Sequence, residues 1–302
     1  MKRALPLSLA VFVTALLTIT LALVFSEQSP TLLPLEPLPA QAMPAQAVLE
    51  QTLPIQNTPE DGTSLAYIHF SLDFADDDTT QEEYEAITPY TGAEIDPSRP
   101  MVALTFDDGP SIYTSIILDL LEYHGGRATF CILGYLAEEN KGIILRAFNM
   151  GSEVIGHSWD HEDFTRISGP GIKAQITQTS DVIEYITGVR PSLYRPPFGA
   201  VNSTVVNASK ELGYAIITWS VDSRDWYSRN ADAIYTAIMS TVENGSIVLS
   251  HDLHRSTASA MAMVIPELIE RGYQLVTVSE LFQHKSVVPQ AGVVYRTPTL
   301  TR

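Results

Sequence analysis

The chain contains little cysteine and, over a long stretch, no positive charge. Cys131 is the only cysteine among 302 residues, so no disulfide can form within the chain and its stability must come from a hydrophobic core. From Glu27 to Asp96 there are fourteen Asp and Glu residues and no Lys or Arg, and this segment carries most of the net charge of −17. The sequence has no basic face of the kind that a phosphate backbone requires, so nucleic acid is not an expected partner.

The N-terminus combines two basic residues with an uncharged apolar run. Lys2 and Arg3 precede a run from Ala4 to Ser26, and about 20 apolar residues suffice to span a bilayer. We interpret residues 1–28 as a signal-anchor, with a cleavable signal peptide as the alternative. The basic flank predicts that the rest of the chain lies outside the cell, either anchored in the membrane or secreted after cleavage.

The remaining chain divides by composition into a linker, a folded domain and a tail. Residues 29–94 are first rich in Pro, Gln and Ala and then acidic, which predicts a disordered spacer. Residues 95–285 have the composition of a globular domain, and we expect residues 286–302 to form a C-terminal tail.

Apolar strand-like runs alternate with helix-like segments after Pro100. The predicted strands are 101–106, 127–133, 153–157, 192–195, 215–221, 246–250 and 273–278. The predicted helices are 111–124, 136–150, 172–187, 203–212, 230–243 and 257–271. This alternation indicates an α/β fold of parallel strands covered by helices. With about seven strands, a distorted (β/α) barrel that is closed or nearly closed is favoured over an open sheet.

Polar, reactive side chains follow the predicted strands at the points where they end. They are Asp107 and Asp108, His157 and His161, Arg195, Asp222 and Asp225, and His251 and Asp252. In barrels of this kind the carboxyl ends of the strands carry the active site, so we expect these residues on one rim. His254 is interpreted as a further rim residue, with substrate contact as the alternative.

The histidines and the paired acids are candidates for a metal site. His157 and His161 are four residues apart, so both rings would face the same side if the segment forms a helical turn. Two histidines and one carboxylate leave open positions on a divalent ion, as catalytic sites do. One acid of the Asp107–Asp108 pair could then bind the metal and the other accept a proton from its water. The alternative is a "DDGP" turn with solvated acids.

Five short motifs, taken in order and spacing, resemble those of the polysaccharide deacetylases, carbohydrate esterase family 4, also called the nodulation-protein-B-type domain. They are "TFDDGP" (105–110), "HSWDH" (157–161), "RPPFG" (195–199), "DSRDW" (222–226) and "LSH" (249–251). The resemblance covers about residues 95 to 285.

This resemblance implies metal-dependent hydrolysis of N-acetyl groups on β-1,4-linked amino sugars. By matching position, Asp107 would be the general base and His251 the general acid that protonates the leaving amine. The metal would be held by Asp108, His157 and His161. The expected ion is zinc, with cobalt, manganese and nickel as alternatives.

The resemblance also implies supporting roles. Arg195 would hold Asp107, Asp225 would orient His251, and the Ser158 hydroxyl would brace the histidine loop. Phe198 stands where many members carry Tyr, and the backbone N–H at that position would help stabilise the oxyanion. The substrate-contacting residues would be Phe198, Trp226 and Leu249.

The expected substrate is N-acetylglucosamine in a cell-wall polysaccharide, with peptidoglycan favoured because an anchor and a spacer would place the domain in the wall. Chitooligosaccharides, N-acetylmuramic acid and O-acetylated xylan are alternatives, since the motifs define the bond better than the sugar. A non-catalytic glycan-binding module is a further alternative.

Overall fold

The computed structural model describes residues 94–298, so the predicted signal-anchor and nearly all of the predicted spacer lie outside the described residues. The strands are β1 Met101–Asp107, β2 Thr129–Leu133, β3 Glu153–Ser158, β4 Leu193–Tyr194, β5 Ala215–Ile217, β6 Val221–Asp222, β7 Ser246–His251, β8 Gln274–Leu275 and β9 Val294–Tyr295. The helices are α1 Ile112–His124, α2 Lys141–Asn149, α3 Gly169–Thr187, α4 Ser203–Leu212, α5 Asp225–Ser228, α6 Ala231–Met239, α7 Arg255–Glu270 and α8 Val278–His284. Within residues 94–298, no helix is both long and apolar enough to cross a membrane.

Helix α1, which follows the "DDGP" turn, has local signals at both ends. The Ser111 hydroxyl accepts the backbone N–H of Tyr113, and the Thr114 hydroxyl accepts the N–H of Ser111, which together form a capping box. The helix ends at Gly125, whose φ of 66° is a left-handed conformation that costs glycine little. These caps fix the direction in which the chain leaves the end of β1.

All strand pairs are parallel, and the strands form one sheet in the order β6-β7-β1-β2-β3-β4-β5-β9, with β8 paired to β1. Strands β5 and β6 lie near opposite ends of this order, yet only residues 218–220 separate them in the chain. Four Cα–Cα steps reach at most about 15 Å, so the sheet must curl until its two ends come close together.

The crossing segment 218–220 is hydrogen-bonded to both ends of the sheet. Thr218 N–H donates to Tyr295 O of β9 at 2.8 Å, and Ser220 N–H donates to Ile247 O of β7 at 3.0 Å. In the described part of the chain, β6 pairs with β7 and β9 with β5, and no ladder joins the two edges. The predicted distorted α/β barrel is therefore confirmed as a curled, open half-barrel, whereas full closure is not observed.

Four segments differ from their predicted form. The predicted strand 215–221 is divided because residues 218–220 leave one edge for the other. The strand predicted at 273–278 ends early, because Thr277 caps α8 through the N–H of Glu280. The predicted helix 136–150 is a 3₁₀ turn, Gly134–Leu136, followed by α2. The segment assigned to a tail contributes β9, whose Tyr295 is fully buried.

The core has one layer on each side of the sheet, and β1 contributes to both. Val102, Leu104 and Phe106 pack with the helices outside the sheet, whereas Met101 and Ala103 belong to the cluster on the concave side. Since strand side chains alternate between faces, Thr105 and Asp107 continue the concave series. The strand thus delivers a carboxylate to the carboxyl end of the half-barrel.

Candidate active site

The carboxyl ends of the central strands bring the predicted residues around one cavity. Asp107 at the end of β1 pairs in register with His251 at the end of β7. The cavity has a volume of about 460 Å³. Its lining includes Asp107, Asp108, His157, His161, Phe198, Trp219, Asp222, Trp226, Arg229, Leu249, His251 and His254. Residues from five of the predicted motifs therefore meet in one space.

Asp108, His157 and His161 form a cluster suited to a metal ion. One ligand atom from each lies within 4.8 Å of the others. Asp108 Oδ1 is 3.3 Å from His157 Nε2 and 3.2 Å from His161 Nε2. The expected helical turn is not present, since His157 lies in β3 and His161 follows in a loop with a φ of 66°. The Ser158 hydroxyl accepts the His161 N–H at 2.8 Å, as the predicted bracing role requires.

The donor set fits a divalent cation. His157 Nδ1 lies 2.8 Å from the Arg195 carbonyl oxygen, which can only accept, so Nδ1 carries the proton and Nε2 presents its lone pair. The buried Oδ1 of Asp108 has no well-oriented hydrogen-bond donor among the described residues. Burial raises the pKa of Asp108, but His157 and His161 outweigh it and hold that pKa well below its usual range. Two imidazole nitrogens and a carboxylate suit zinc and similar transition metals.

Asp107 is held by a wholly buried arginine. Arg195 Nη1 donates to Asp107 Oδ1 at 2.7 Å and to the Thr105 hydroxyl at 2.7 Å. Arg195 Nη2 donates to the Thr218 carbonyl at 3.1 Å, and the guanidinium lies 5.7 Å from the Trp219 ring centroid. The second carboxylate oxygen, Oδ2, is 3.8 Å from His157 Nε2, beside the three candidate metal ligands. One oxygen of Asp107 is thus fixed and the other faces the site.

His251 is oriented by a buried carboxylate. Asp225 Oδ1 lies 2.7 Å from His251 Nδ1, and Asp225 Oδ2 accepts the His251 backbone N–H at 2.6 Å. Thr257 donates its hydroxyl to the same Oδ2 at 2.8 Å. Burial lowers the pKa of His251, but Asp225, together with Asp107 and Asp108, outweighs it and raises that pKa to about 9. The ring is therefore protonated at neutral pH, with Nδ1–H directed to Asp225 and Nε2–H left to donate.

The remaining predicted residues form the walls of the cavity. The Phe198 ring is 65 % exposed and packs edge-on against His161, with ring centroids 4.6 Å apart. Phe198 has a φ of 61° within the 3₁₀ turn Pro197–Gly199. Leu249 is buried beneath the cavity, and Trp226 is exposed at its edge. An apolar floor with an aromatic edge suits an acetyl methyl group on a sugar.

The structure brings together the residues predicted for catalysis, metal binding and substrate contact, and it adds residues that the sequence analysis did not single out. Asp252, which was also expected on the rim, is instead buried outside the cavity lining, where its carboxylate accepts the Thr114 hydroxyl. Arg195 and Asp225 lie behind the lining, where they contact Asp107 and His251. The additional residues are Thr105, Thr218, Trp219, Arg229 and Thr257. Trp219 and Thr218 were hidden inside an apparent strand, and no sequence signal marked the crossing. Thr105 lies two residues before Asp107 and so on the same face of β1, and this spacing was the one available clue.

The chain matches the family model described as polysaccharide deacetylase over residues 94–217. It is 33 % identical over 204 residues to a peptidoglycan-N-acetylglucosamine deacetylase from Bacillus cereus, covering 66 % of this chain and 95 % of that protein. The chain belongs to the polysaccharide deacetylase family. The match to the deacetylase of Bacillus subtilis named peptidoglycan-N-acetylmuramic acid deacetylase PdaC is 39 % identical over 204 residues. It covers 67 % of this chain but 43 % of PdaC, so the polysaccharide deacetylase domain described here corresponds to less than half of that relative.

A solved structure of a family 4 carbohydrate-active enzyme is also similar. The family 4 acetyl xylan esterase from Clostridium thermocellum, in complex with a cobalt ion, has a TM-score of 0.62 and 32 % sequence identity. The match covers 65 % of this chain and 98 % of that one. The predicted family and fold are therefore confirmed.

Proposed function

We propose that this protein hydrolyses N-acetyl groups of N-acetylglucosamine residues in a cell-wall polysaccharide, with peptidoglycan as the substrate, in a metal-dependent reaction. The observation that carries the proposal is the pair of proton-transfer groups on one cavity. Asp107 lies on one strand beside the metal cluster, and His251 lies on the adjacent strand with its own carboxylate partner. Amide hydrolysis requires a base for the attacking water and an acid for the leaving amine, and these two residues supply both.

Asp108, His157 and His161 would hold the metal, for which we propose zinc. A divalent ion held there would supply Lewis-acid chemistry, lowering the pKa of a water molecule and polarising the acetyl carbonyl. Cobalt, manganese and nickel are compatible with the same donors.

Asp107 would be the general base. Its Oδ1 is taken by Arg195, so Oδ2, on the side of His157, is the atom that would accept the proton. The guanidinium that binds Oδ1 is itself held by the Thr105 hydroxyl and the Thr218 carbonyl, so the carboxylate is oriented by a donor that is fixed in place. Such preorganisation lowers the cost of reaching the reactive geometry.

His251 would be the general acid. Asp225 accepts from Nδ1, which leaves Nε2–H to protonate the amine as the carbon–nitrogen bond breaks. The backbone N–H of Phe198, at the cavity edge, would donate to the oxyanion of the tetrahedral intermediate. Trp226 and Leu249 would contact the acetyl methyl group.

The proposed location is extracytoplasmic, with the chain anchored in the cell membrane. Lys2 and Arg3 before the apolar run from Ala4 to Ser26 support this orientation, and secretion after cleavage is the alternative. An anchored domain on a spacer would meet the peptidoglycan of its own cell.

Acetate release from peptidoglycan and from chitotetraose tests the proposal with the full-length chain, with and without a chelator. We expect release that stops on chelation and returns when zinc is added. Asp107→Asn should lower kcat/KM by about 100-fold or more, since general base catalysis contributes about that factor. Its bound metal, measured by atomic absorption, should stay at the wild-type level.

Asp232→Asn is the matched control, because Asp232 is an exposed acid in the first turn of α6, away from the cavity. Isolated N-acetylmuramyl glycans and acetylated xylan serve as further substrates that separate the alternative sugars. If no acetylated glycan releases acetate, the proposed function is wrong, and the non-catalytic glycan-binding module becomes the hypothesis to test next by binding.

A further inference from the structure

Arg229 is the one Arg or Lys side chain in the lining of the cavity as described for residues 94–298. It follows the short helix α5 and is exposed at the edge of the cavity, next to Trp226. The same lining contains three carboxylates, Asp107, Asp108 and Asp222. A single guanidinium among these acids is the one group of the lining with a permanent positive charge that could bind an anionic part of a substrate.

Arg229 is hydrogen-bonded to two backbone carbonyls of helix α5, the helix that contains Asp225. Arg229 Nε donates to the Trp226 carbonyl at 3.2 Å, and its backbone N–H donates to the Asp225 carbonyl at 3.2 Å. No carboxylate among the described residues lies within 4 Å of its guanidinium, and no hydrogen-bond acceptor there engages its Nη atoms. Two Nη groups therefore remain to bind a ligand bidentately.

The other charges of the cavity have their own partners. Asp107 is paired with Arg195, and Asp108 faces the two metal-site histidines. Asp222 Oδ1 accepts the Arg224 backbone N–H at 2.8 Å. His254 lines the cavity beside Arg229; burial, followed by the charge of Arg229, lowers the pKa of His254, so the ring is a neutral hydrogen-bonding group at neutral pH. The net result is a fixed positive charge with a polar neighbour at the edge of the cavity.

We propose that Arg229, assisted by His254, is a specificity-determining residue that binds a carboxylate carried by the glycan. This inference rests on the proposed function and specifies its substrate class. Chitin and acetylated xylan backbones offer hydroxyl and acetyl groups, which give a guanidinium no ionic partner. Muramyl residues of peptidoglycan can offer a carboxylate in two places: on the lactyl group when the stem peptide is absent, and within the stem peptide when it is present.

Equilibrium binding tests the inference without requiring catalysis. The full-length chain is titrated, in the presence of chelator, with three probes: chitotetraose, a peptide-free tetrasaccharide of alternating N-acetylglucosamine and N-acetylmuramic acid, and the same tetrasaccharide carrying stem peptides. Intrinsic fluorescence reports binding, because Trp219 and Trp226 line the cavity. For the wild type we expect at least one acidic probe to bind about tenfold more tightly than chitotetraose, which is the order of a single charge-assisted hydrogen-bonded contact.

In Arg229→Gln the ratio of acidic to neutral affinity should fall to near one, whereas Arg229→Lys should retain part of it, since the charge is kept and the bidentate geometry is lost. Arg224→Gln is the matched control, because Arg224 is an exposed arginine of the same segment that lines a neighbouring groove instead. A preference for the peptide-free probe identifies the lactyl carboxylate, and a preference for the peptide-bearing probe identifies the stem.

Three results would overturn the inference: equal binding of all probes by the wild type, an unchanged ratio in Arg229→Gln, or an equal loss in Arg224→Gln. Acetate release is measured in parallel on the same protein preparations with the chelator removed and zinc added. Failure of release with the binding ratio intact would refute the proposed function alone, and release with a ratio of one would refute the role of Arg229 alone.

Discussion

The strongest prediction concerns Asp225→Asn, which removes the charge beside His251 with little change in shape. The amide oxygen, at the position of Oδ1, can still accept a hydrogen bond from His251 Nδ1. The amide NH₂ would then replace Oδ2 and face two donors, the backbone N–H of His251 and the Thr257 hydroxyl. Without the carboxylate, the pKa of His251 loses its main support and should fall from about 9 to its ordinary value or below, since burial lowers it further.

The size of the effect follows from the fraction of His251 that carries the acidic proton. With a pKa of about 9 the ring stays over 90 % protonated up to pH 8, whereas with a pKa of about 6.5 it is roughly 75 % protonated at pH 6 and roughly 3 % at pH 8. Loss of protonation alone should therefore lower kcat/KM less than twofold at pH 6 and about 30-fold at pH 8. Any loss of orientation adds a factor that does not vary with pH.

The assay is kcat/KM for acetate release between pH 5.5 and pH 9.5, because that ratio reports the pKa values of the free enzyme. The alkaline limb of the variant should move down by about 2.5 pH units or more relative to the wild type. Asp232→Asn, an exposed substitution of the same kind, should leave the profile in place. A loss of equal size at pH 6 and pH 8 would refute the reasoning, because Asp225 would then act on geometry alone.

Two further substitutions test the buried charges by urea unfolding. Arg195→Met leaves the Asp107 carboxylate buried without its partner and should lower the free energy of unfolding by about 3–5 kcal/mol. Arg190→Met, which removes two exposed ion pairs, should lower it by about 1 kcal/mol or less. Equal losses in the two variants would contradict the buried pairing of Arg195 with Asp107. Burial raises the pKa of Asp252 to about 7 from 3.8, so the folded state holds a proton that the unfolded state releases, and stability falls as pH rises from about 4 to 7. Asp252→Asn should remove that decline. Between pH 5 and pH 8 the free energy of unfolding of the wild type should fall by about 2–4 kcal/mol more than that of the variant, and equal falls in the two proteins would refute the assignment.

The chemistry of the site could be predicted because it depends on residue types at strand ends. Asp107 and Asp108 follow a buried run, and His157 and His251 do the same, so a parallel fold necessarily gathers them on one rim. The assignment of Asp107 as the base and Asp108 as the metal ligand came from the family resemblance. The contact of Asp107 with Arg195 is consistent with that assignment. Local sequence was enough for these residues, because each is fixed by the end of its own strand.

The features that could not be predicted depend on contacts between distant segments. Residues 215–221 (AIITWSV) have the composition of one continuous strand, and no glycine or proline marks the point where the chain leaves one edge for the other. Strand β9 has two residues, too few for a periodic pattern, and exists because Tyr295 fills the concave core. The His157–His161 spacing suggested a helical turn, whereas a strand followed by a tight loop brings the same nitrogens together.

The crossing segment 218–220 has a consequence for how this domain can vary. This segment connects the two edge regions of the half-barrel through its hydrogen bonds to β9 and β7. Its Thr218 carbonyl also accepts a hydrogen bond from Arg195, which holds the proposed base. Loops elsewhere on the rim can lengthen at small entropic cost, since doubling a loop adds only about 0.6 kcal/mol. Lengthening this segment would instead let the two edges of the half-barrel move apart and widen the active-site cavity. We therefore expect substrate range to vary through the surrounding loops, whereas the fixed length of this segment, whose Trp219 lines the cavity, limits how far the cavity can widen.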